Sequence, residues 1–404
     1  MRAHIAYLSH AADQDGGSWK ELPKVKLQRM NRRALTLGAL AVSGALALTA
    51  CGSDDTGSKS SGGGSSASAG AANTSSIKCD NAKGQLLADG SSAQKNAIDA
   101  WTAAFSQACQ GVQINYKGSG SGAGVTAFTQ GQLAFAGSDS ALKPEEIEAS
   151  KKICTGGGQG IDLPMVGGPI AVGYNLPGVD NLVLDATTLA KIFNSDIKTW
   201  DDPAIKKLNP NAKLPSTKIS AFHRSDESGT TDNFTKYLKA AAPAVWGKYS
   251  GGKAWQAPGG QSAPQSAGVA QQVKQTAGAI GYFELSYAKD MNTVAIDTGA
   301  SSPVKPSTDA ASKAIADAKV VGTGKDLALK LNYTTKADGA YPMVLVTYEI
   351  VCDKGNKADT LPATKAFLRY IAGTDGQSIL TQNSYAPIPD AIISKVRTTI
   401  EGLS

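Results

Sequence analysis

Three times between residues 84 and 150 the chain repeats strand, loop and helix. Residues 84–88 read as a short strand and 89–92 as a turn. Ile98, Trp101 and Phe105 then recur at helical spacing through an Ala-rich stretch that ends near Cys109. Residues 112–116 make a second strand, which runs into a Gly/Ser loop at 117–124 and a short helix containing Val125 and Phe128. A third strand at 133–137 ends in Ser138-Asp139-Ser140, and Pro144 opens the next helix. This alternation argues for α/β layering with a largely parallel sheet.

The pattern continues beyond residue 160. An apolar, glycine-punctuated run at 161–174 precedes a helix around 187–193, and a strand at 218–222 delivers His223 and Arg224 at its carboxyl end. Strands at 279–283 and 343–351 follow, with helices around 363–373 and 389–402. No internal repeat is apparent, and the region from 77 to 404 is long enough for two lobes of ordinary size.

The amino-terminal part has a different character. Met30-Asn31-Arg32-Arg33 leads into an apolar run that closes on Leu48-Thr49-Ala50-Cys51. A charged start, a short apolar stretch and small residues before a cysteine follow the logic of a secretory signal, and the run is short for a membrane span. Residues 30–50 therefore read as a lipoprotein signal peptide, with Cys51 the lipid-modified first residue of the mature protein. The pair Arg32 and Arg33 also carries a weak twin-arginine signature. Residues 1–29 read as an over-extended start, with Met30 the initiator. From 51 to 76 the chain is almost wholly Gly, Ser, Ala, Asp and Thr, a flexible tether with a reach of roughly 25–30 Å.

Composition excludes some functions. The formal charge is +6, but residues 1–50 carry seven Arg or Lys and three Asp or Glu, so the mature chain is left with a charge of about +2. That gives no basic surface for nucleic acid. Besides Cys51 there are four cysteines, Cys79, Cys109, Cys154 and Cys352, and an even number in an exported protein favours two disulfides. Of three possible connectivities, Cys79–Cys109 with Cys154–Cys352 is preferred. A metal site is disfavoured, because no pair has close Cys-x-x-Cys spacing and His223 is the only histidine after Cys51.

Chemistry concentrates at strand-to-helix loops. His223-Arg224-Ser225-Asp226-Glu227-Ser228-Gly229-Thr230 places an arginine and two hydroxyl donors around a glycine at a helix start. Only three arginines follow Cys51, against thirty lysines, so this one is not generic surface charge. A guanidinium fork binds two oxygens of a tetrahedral anion, and free amides at a helix start face the same point. Ser92, Ser121, Ser228 and Thr230 add neutral donors from three loops. The 117–124 loop fits neither common nucleotide fingerprint. When ionised, Asp139 can only accept hydrogen bonds, so in an anion site it demands a ligand that carries a proton. Asp226, two residues after Arg224, is placed to fix the guanidinium.

Taken together, Gly118-Ser119-Gly120-Ser121-Gly122-Ala123-Gly124, then Phe135-Ala136-Gly137-Ser138-Asp139, then Arg224-Ser225-Asp226-Glu227-Ser228-Gly229-Thr230, then Gly278-Ala279-Ile280-Gly281-Tyr282 resemble the phosphate-binding receptors of high-affinity phosphate ABC transporters. The resemblance spans nearly all of 84–404. It implies a type II periplasmic-binding-protein fold, two α/β lobes joined by a two-segment hinge, with 77–163 and 292–404 in lobe I and 164–291 in lobe II. Inorganic phosphate would lie in the cleft. Ser92, the backbone of Ala93, Ser121, Ser228, Gly229 and Thr230 would donate to it, Asp139 would accept its proton, and Arg224 would fork onto it, held by Asp226.

The sequence departs from the family's pattern in two places. The first loop, Gly90-Ser91-Ser92-Ala93-Gln94, lacks the aromatic and proline common there, and Glu227 replaces a frequent glycine and is expected to face solvent. The expected molecule is a monomeric, cofactor-free receptor, lipid-anchored on the outer face of the cell membrane, that hands phosphate to permease subunits. A sulfate or molybdate receptor would conflict with Asp139. A secreted phosphatase would lack metal-binding histidines and a Gly-x-Ser-x-Gly elbow, and an adhesin would need neither Arg224 nor Asp139.

Overall fold

A computed structural model describes residues 77–404; residues 1–76, with the expected signal segment, the expected tether and Cys51, lie outside the described residues. The first strands are β1 (Gly84–Gly90), β2 (Val112–Tyr116) and β3 (Phe135–Ser138), paired in parallel in the order β2-β1-β3. The crossover helix Lys95–Ala108 forms because Ala97, Ile98, Trp101, Ala104 and Phe105 fall on one buried face. Phe105 meets Phe367 edge-on at 5.3 Å between ring centroids.

The apolar run expected at 161–174 is a single strand of 16 residues, β4 (Gly160–Asn175), buried at every position but the last. A strand covered on both faces carries a continuous apolar run and no polar alternation. Its Gly167 serves a close approach: a methyl there would lie 2.9 Å from the Ala386 carbonyl oxygen, which accepts the Gly167 N–H at 2.8 Å.

The later strands are β5 (Val183–Asp185), β6 (Ser220–Arg224), β7 (Gln261–Ala263), β8 (Ala279–Glu284), β9 (Asn292–Thr293), β10 (Ala295–Asp297), β11 (Lys319–Val320), β12 (Leu329–Lys330) and β13 (Val344–Cys352). The main sheet runs β2-β1-β3-β13-β4-β8-β6-β7, with β9 beside β4. Residues 160–169 of β4 pair antiparallel with β13, and residues 170–175 pair antiparallel with β8. The sheet is therefore parallel in two blocks, β1–β3 and β6–β8, joined by long antiparallel strands.

Each block has its own core. The first gathers Trp101, Phe105, Phe128, Phe135, Phe367 and Tyr385 from both ends of the described chain. The second holds Phe193, Trp200, Phe234, Trp246 and Tyr282, with Phe234 stacked on Tyr282 at 4.3 Å. A smaller cluster of Phe222, Val269, Val273 and Phe283 covers the other face of β6 and β8. Val294, Ile296 and Val304 also pack in the second core, drawn there by the pairing of β10 with β5 and by the Ile296–Val304 bridge.

Both preferred disulfides are present, Cys79–Cys109 and Cys154–Cys352, with sequence separations of 30 and 198. Cross-linking a longer loop removes more entropy from the unfolded chain, by roughly 3.5 kcal/mol for the short loop and roughly 5 kcal/mol for the long one. Replacing Cys154 and Cys352 by serine is expected to lower the unfolding free energy by about 1.5 kcal/mol more than replacing Cys79 and Cys109. Guanidinium titration of the two double variants under one buffer checks the difference.

Candidate functional site

Four loops meet at the carboxyl ends of β1, β2, β3 and β6, the position where open α/β sheets hold ligands. Asp89 ties the first two together, its Oδ1 accepting from Gly90 N–H at 2.7 Å and from Ser119 N–H at 2.8 Å. From the other lobe the helix Gly229–Ala241 points its start at these loops, capped by Ser228, whose hydroxyl accepts from Thr231 N–H at 3.2 Å. Gly229 makes the closest approach. Its N–H donates to Ser121 Oγ at 3.1 Å, and a methyl there would stand 2.6 Å from both Asp139 Cβ and Ser121 Oγ. Contact between the lobes excludes a side chain at this position.

Asp139 is buried among donors from both lobes. Thr230 Oγ1 donates to its Oδ2 at 3.1 Å and Thr347 Oγ1 to its Oδ1 at 2.8 Å. Its backbone N–H donates to Ser121 Oγ at 3.2 Å, and its carbonyl accepts from Asn233 Nδ2 at 2.7 Å. Burial pushes its pKa up, while hydrogen bonds from Ser91, Thr347 and Thr230 and the charge of Arg224 oppose the rise. A carboxylate offers about four lone-pair sites, so these three hydrogen bonds leave room for a further donor.

Arg224 has a side chain only 1% exposed. Asp226 grips it on one edge, with Nε donating to Oδ1 at 2.8 Å and Nη2 to Oδ2. Burial alone would raise the Asp226 pKa; the hydrogen bonds and charge of Arg224 outweigh it and hold the carboxyl below the usual range. Gln265 N–H also donates to Asp226 Oδ1, at 2.9 Å. On the other edge of the guanidinium, Nη1 donates to Ser266 Oγ at 3.5 Å, in the first turn of the helix Gln265–Gln275. Ser92 Oγ in turn accepts from Ser266 N–H at 3.0 Å. The Ala93 N–H donates to Ser91 Oγ at 3.0 Å, and Tyr287 and Tyr385 hydroxyls hold the Ser92 and Ala93 carbonyls at 2.7 and 2.6 Å.

Ser92, Ala93, Ser121, Asp139, Arg224, Asp226, Ser228, Gly229 and Thr230 thus belong to one hydrogen-bonded neighbourhood. Glu227 is exposed, and its carbonyl accepts from Gly122 N–H at 3.0 Å. Sequence reasoning missed Ser91, Asn233, Ser266 and Thr347. Thr347 hides inside the apolar β13. Ser266 starts the helix Gln265–Gln275, and Pro264 just before it was the available signal.

Behind Asp139 the interior holds further acids. Glu349, on β13, is fully buried, and neither carboxylate oxygen accepts a well-formed hydrogen bond. Burial pushes its pKa up to about 8; the nearby Gln94 amide opposes this and the charge of Asp139 adds to it. Glu284 is raised well above the usual range, mainly by burial. Among the described residues no group of His, Cys, Asp and Glu could hold a metal ion, and no helix is long and apolar enough to cross a membrane.

Two α/β lobes that close donors, a buried arginine and a carboxylate onto one point define a binding protein of the periplasmic type, and residues 66–375 match the model of a PBP superfamily domain. Within that class the chain belongs to the PstS family of phosphate-binding proteins, which are transport receptors and not enzymes. It is 42% identical over 384 residues to "Phosphate-binding protein PstS 3" of Mycobacterium tuberculosis, covering 93% of this chain and 100% of that one. It is 40% identical over 377 residues to "Phosphate-binding protein PstS 2" of the same organism, covering 91% and 97%. The solved structure of a phosphate-binding protein from Stenotrophomonas maltophilia shares the fold, with a TM-score of 0.62 and 18% identity over 78% of this chain and 94% of that one.

The buried acid makes stability depend on pH. A glutamate whose pKa is higher in the folded than in the unfolded state stabilises the fold fully below about 4.5, and that contribution is lost as pH rises towards about 8. Thermal melting of the wild type is expected to fall across this window, with Glu284 acting in the same direction, and Glu349→Gln should flatten the slope and melt higher than wild type at pH 8.5. A variant whose slope matches wild type would remove Glu349 as the cause.

Proposed function

We propose that the protein is an extracytoplasmic receptor that closes its lobes around inorganic phosphate and presents it to an ABC permease for import. The observation that carries this reading is Asp139: an acceptor-only carboxylate buried among donors that converge on one point. Hydrogen phosphate can donate its proton to the acceptor site that the three side-chain donors leave open on that carboxylate. Sulfate would set a bare oxygen against them, at a cost of about 1–3 kcal/mol or more for a charged group. Arg224 supplies the fork, its geometry set by Asp226, while Ser92, Ser121, Ser228, Thr230 and the amides of Ala93 and Gly229 are neutral donors, and Ser92, Thr230, Ala93 and Gly229 exchange their protein partners for the anion on binding. Membership of the PstS family supports the same ligand and the same class of permease partner.

In this reading Cys51 carries the lipid, 30–50 is removed, and 51–76 tethers a monomeric receptor to the outer face of the cell membrane. The lobes divide near 163 and again near 291, with Val294, Ile296 and Val304 beyond the second crossing still packed in the second core. No cofactor is needed, because closure around the anion is the whole task.

Calorimetric titration of the protein, freed of carried-over ligand, is expected to show tight one-to-one phosphate binding at pH 7 with sulfate silent. Equal binding of the two anions would reduce Asp139 to a structural role and widen the ligand to tetrahedral oxyanions in general. Asp139→Asn should weaken phosphate and admit sulfate, because the amide can donate. Arg224→Lys, which keeps the charge and loses the fork, should bind phosphate at least about tenfold more weakly.

A further inference from the structure

Ser266 is completely buried in the first turn of the helix Gln265–Gln275. Its hydroxyl touches two residues of the site that stand on opposite lobes. Ser92 Oγ donates to Ser266 Oγ at 3.3 Å, and Arg224 Nη1 reaches the same oxygen at 3.5 Å. These two contacts occupy both lone pairs of the Ser266 hydroxyl; when Ser92 turns its proton to the anion, the Ser266 proton can donate to Ser92 Oγ and keep the two hydroxyls joined. The Ser266 N–H donates back to Ser92 Oγ at 3.0 Å, so the pair is joined twice.

The backbone that sets Ser266 there is strained. Gln265 has φ of 59°, a left-handed conformation for a residue with a side chain. Its N–H is held on Asp226 Oδ1 at 2.9 Å, the oxygen that also anchors Arg224 Nε. One carboxylate therefore fixes both the arginine and the turn that brings a hydroxyl to its free edge. Strain of this kind persists where the surroundings over-determine it.

We propose that Ser266 is a positioning residue for lobe closure: by bridging Ser92 to Arg224 it locks the first loop against the arginine when the lobes close, and so sets how long the anion is held. The inference rests on the phosphate-receptor reading of the site. Ser266→Ala deletes the bridging oxygen and keeps the backbone N–H to Ser92, so the first encounter is unchanged while the closed state loses a shared partner.

Stopped-flow kinetics with inorganic phosphate on the full protein test this. The expected result for Ser266→Ala is release about tenfold faster, with an association rate within about twofold of wild type and unaltered melting of the ligand-free protein. In a cycle with Ser92→Ala, the double variant should lose less than the sum of the single losses, since both remove one bridge. Wild-type release from Ser266→Ala, or strictly additive losses, would overturn the positioning role while leaving phosphate binding intact. A wild-type protein that does not bind phosphate would overturn the receptor reading and this inference with it.

Discussion

A buried guanidinium organises the molecule. Taking an arginine out of water costs several kcal/mol unless its hydrogen bonds and charge are answered, and Asp226 answers both along one edge of Arg224. The pair then becomes a fixed point for its neighbours. Gln265 sets its amide on the same carboxylate. Gly120, from the loop after β2, comes so close that a methyl on it would lie 2.5 Å from Asp226 Oδ2. Loops from both lobes therefore converge on a single ion pair, and the outward edge of the arginine is left aimed at the place where the neutral donors meet.

The partition of polar groups around that point follows one rule. Charge is scarce, with Arg224 paired to Asp226 and Asp139 answered by threonine hydroxyls, while hydroxyls and amides are plentiful and come from strand ends and helix starts, where backbone donors lack intrahelical partners. Such a site makes few demands on side-chain identity. A fold shared at 18% identity with the Stenotrophomonas maltophilia protein is consistent with this, since alternating burial, short loops and small residues suffice to build the frame.

Much of this was legible before any coordinates. Ile98, Trp101 and Phe105 announce a helix because only one face of it can be buried, and Arg224 and Asp226 stand out because charge is rare at a strand end. What stayed hidden has physical reasons. The 161–174 run carries no alternation, since β4 is covered on both faces, so its length and its two partners could not be read from period. Thr347 and Glu349 sit in a strand that looks wholly apolar in function, and their roles come from β3 and the first loop packing against them. Ser266 belongs to a helix whose start is a strained turn held by a residue almost forty positions earlier, which no local pattern encodes.

The path of the chain has a consequence for the order of assembly. The second core draws most of its residues from 170–310, with Tyr341, Met343 and Leu345 added late in the chain, whereas the first combines residues 82–166 with residues reaching to Leu403. The lobe that begins first is thus the last that can be completed. A growing or emerging chain holds Trp101, Phe105 and Phe135 without Phe367 or Tyr385 to cover them, and Cys154 without Cys352, until nearly all of it is available. Whatever shields those aromatic rings in the interval acts on an unfinished lobe beside one whose core is nearer completion.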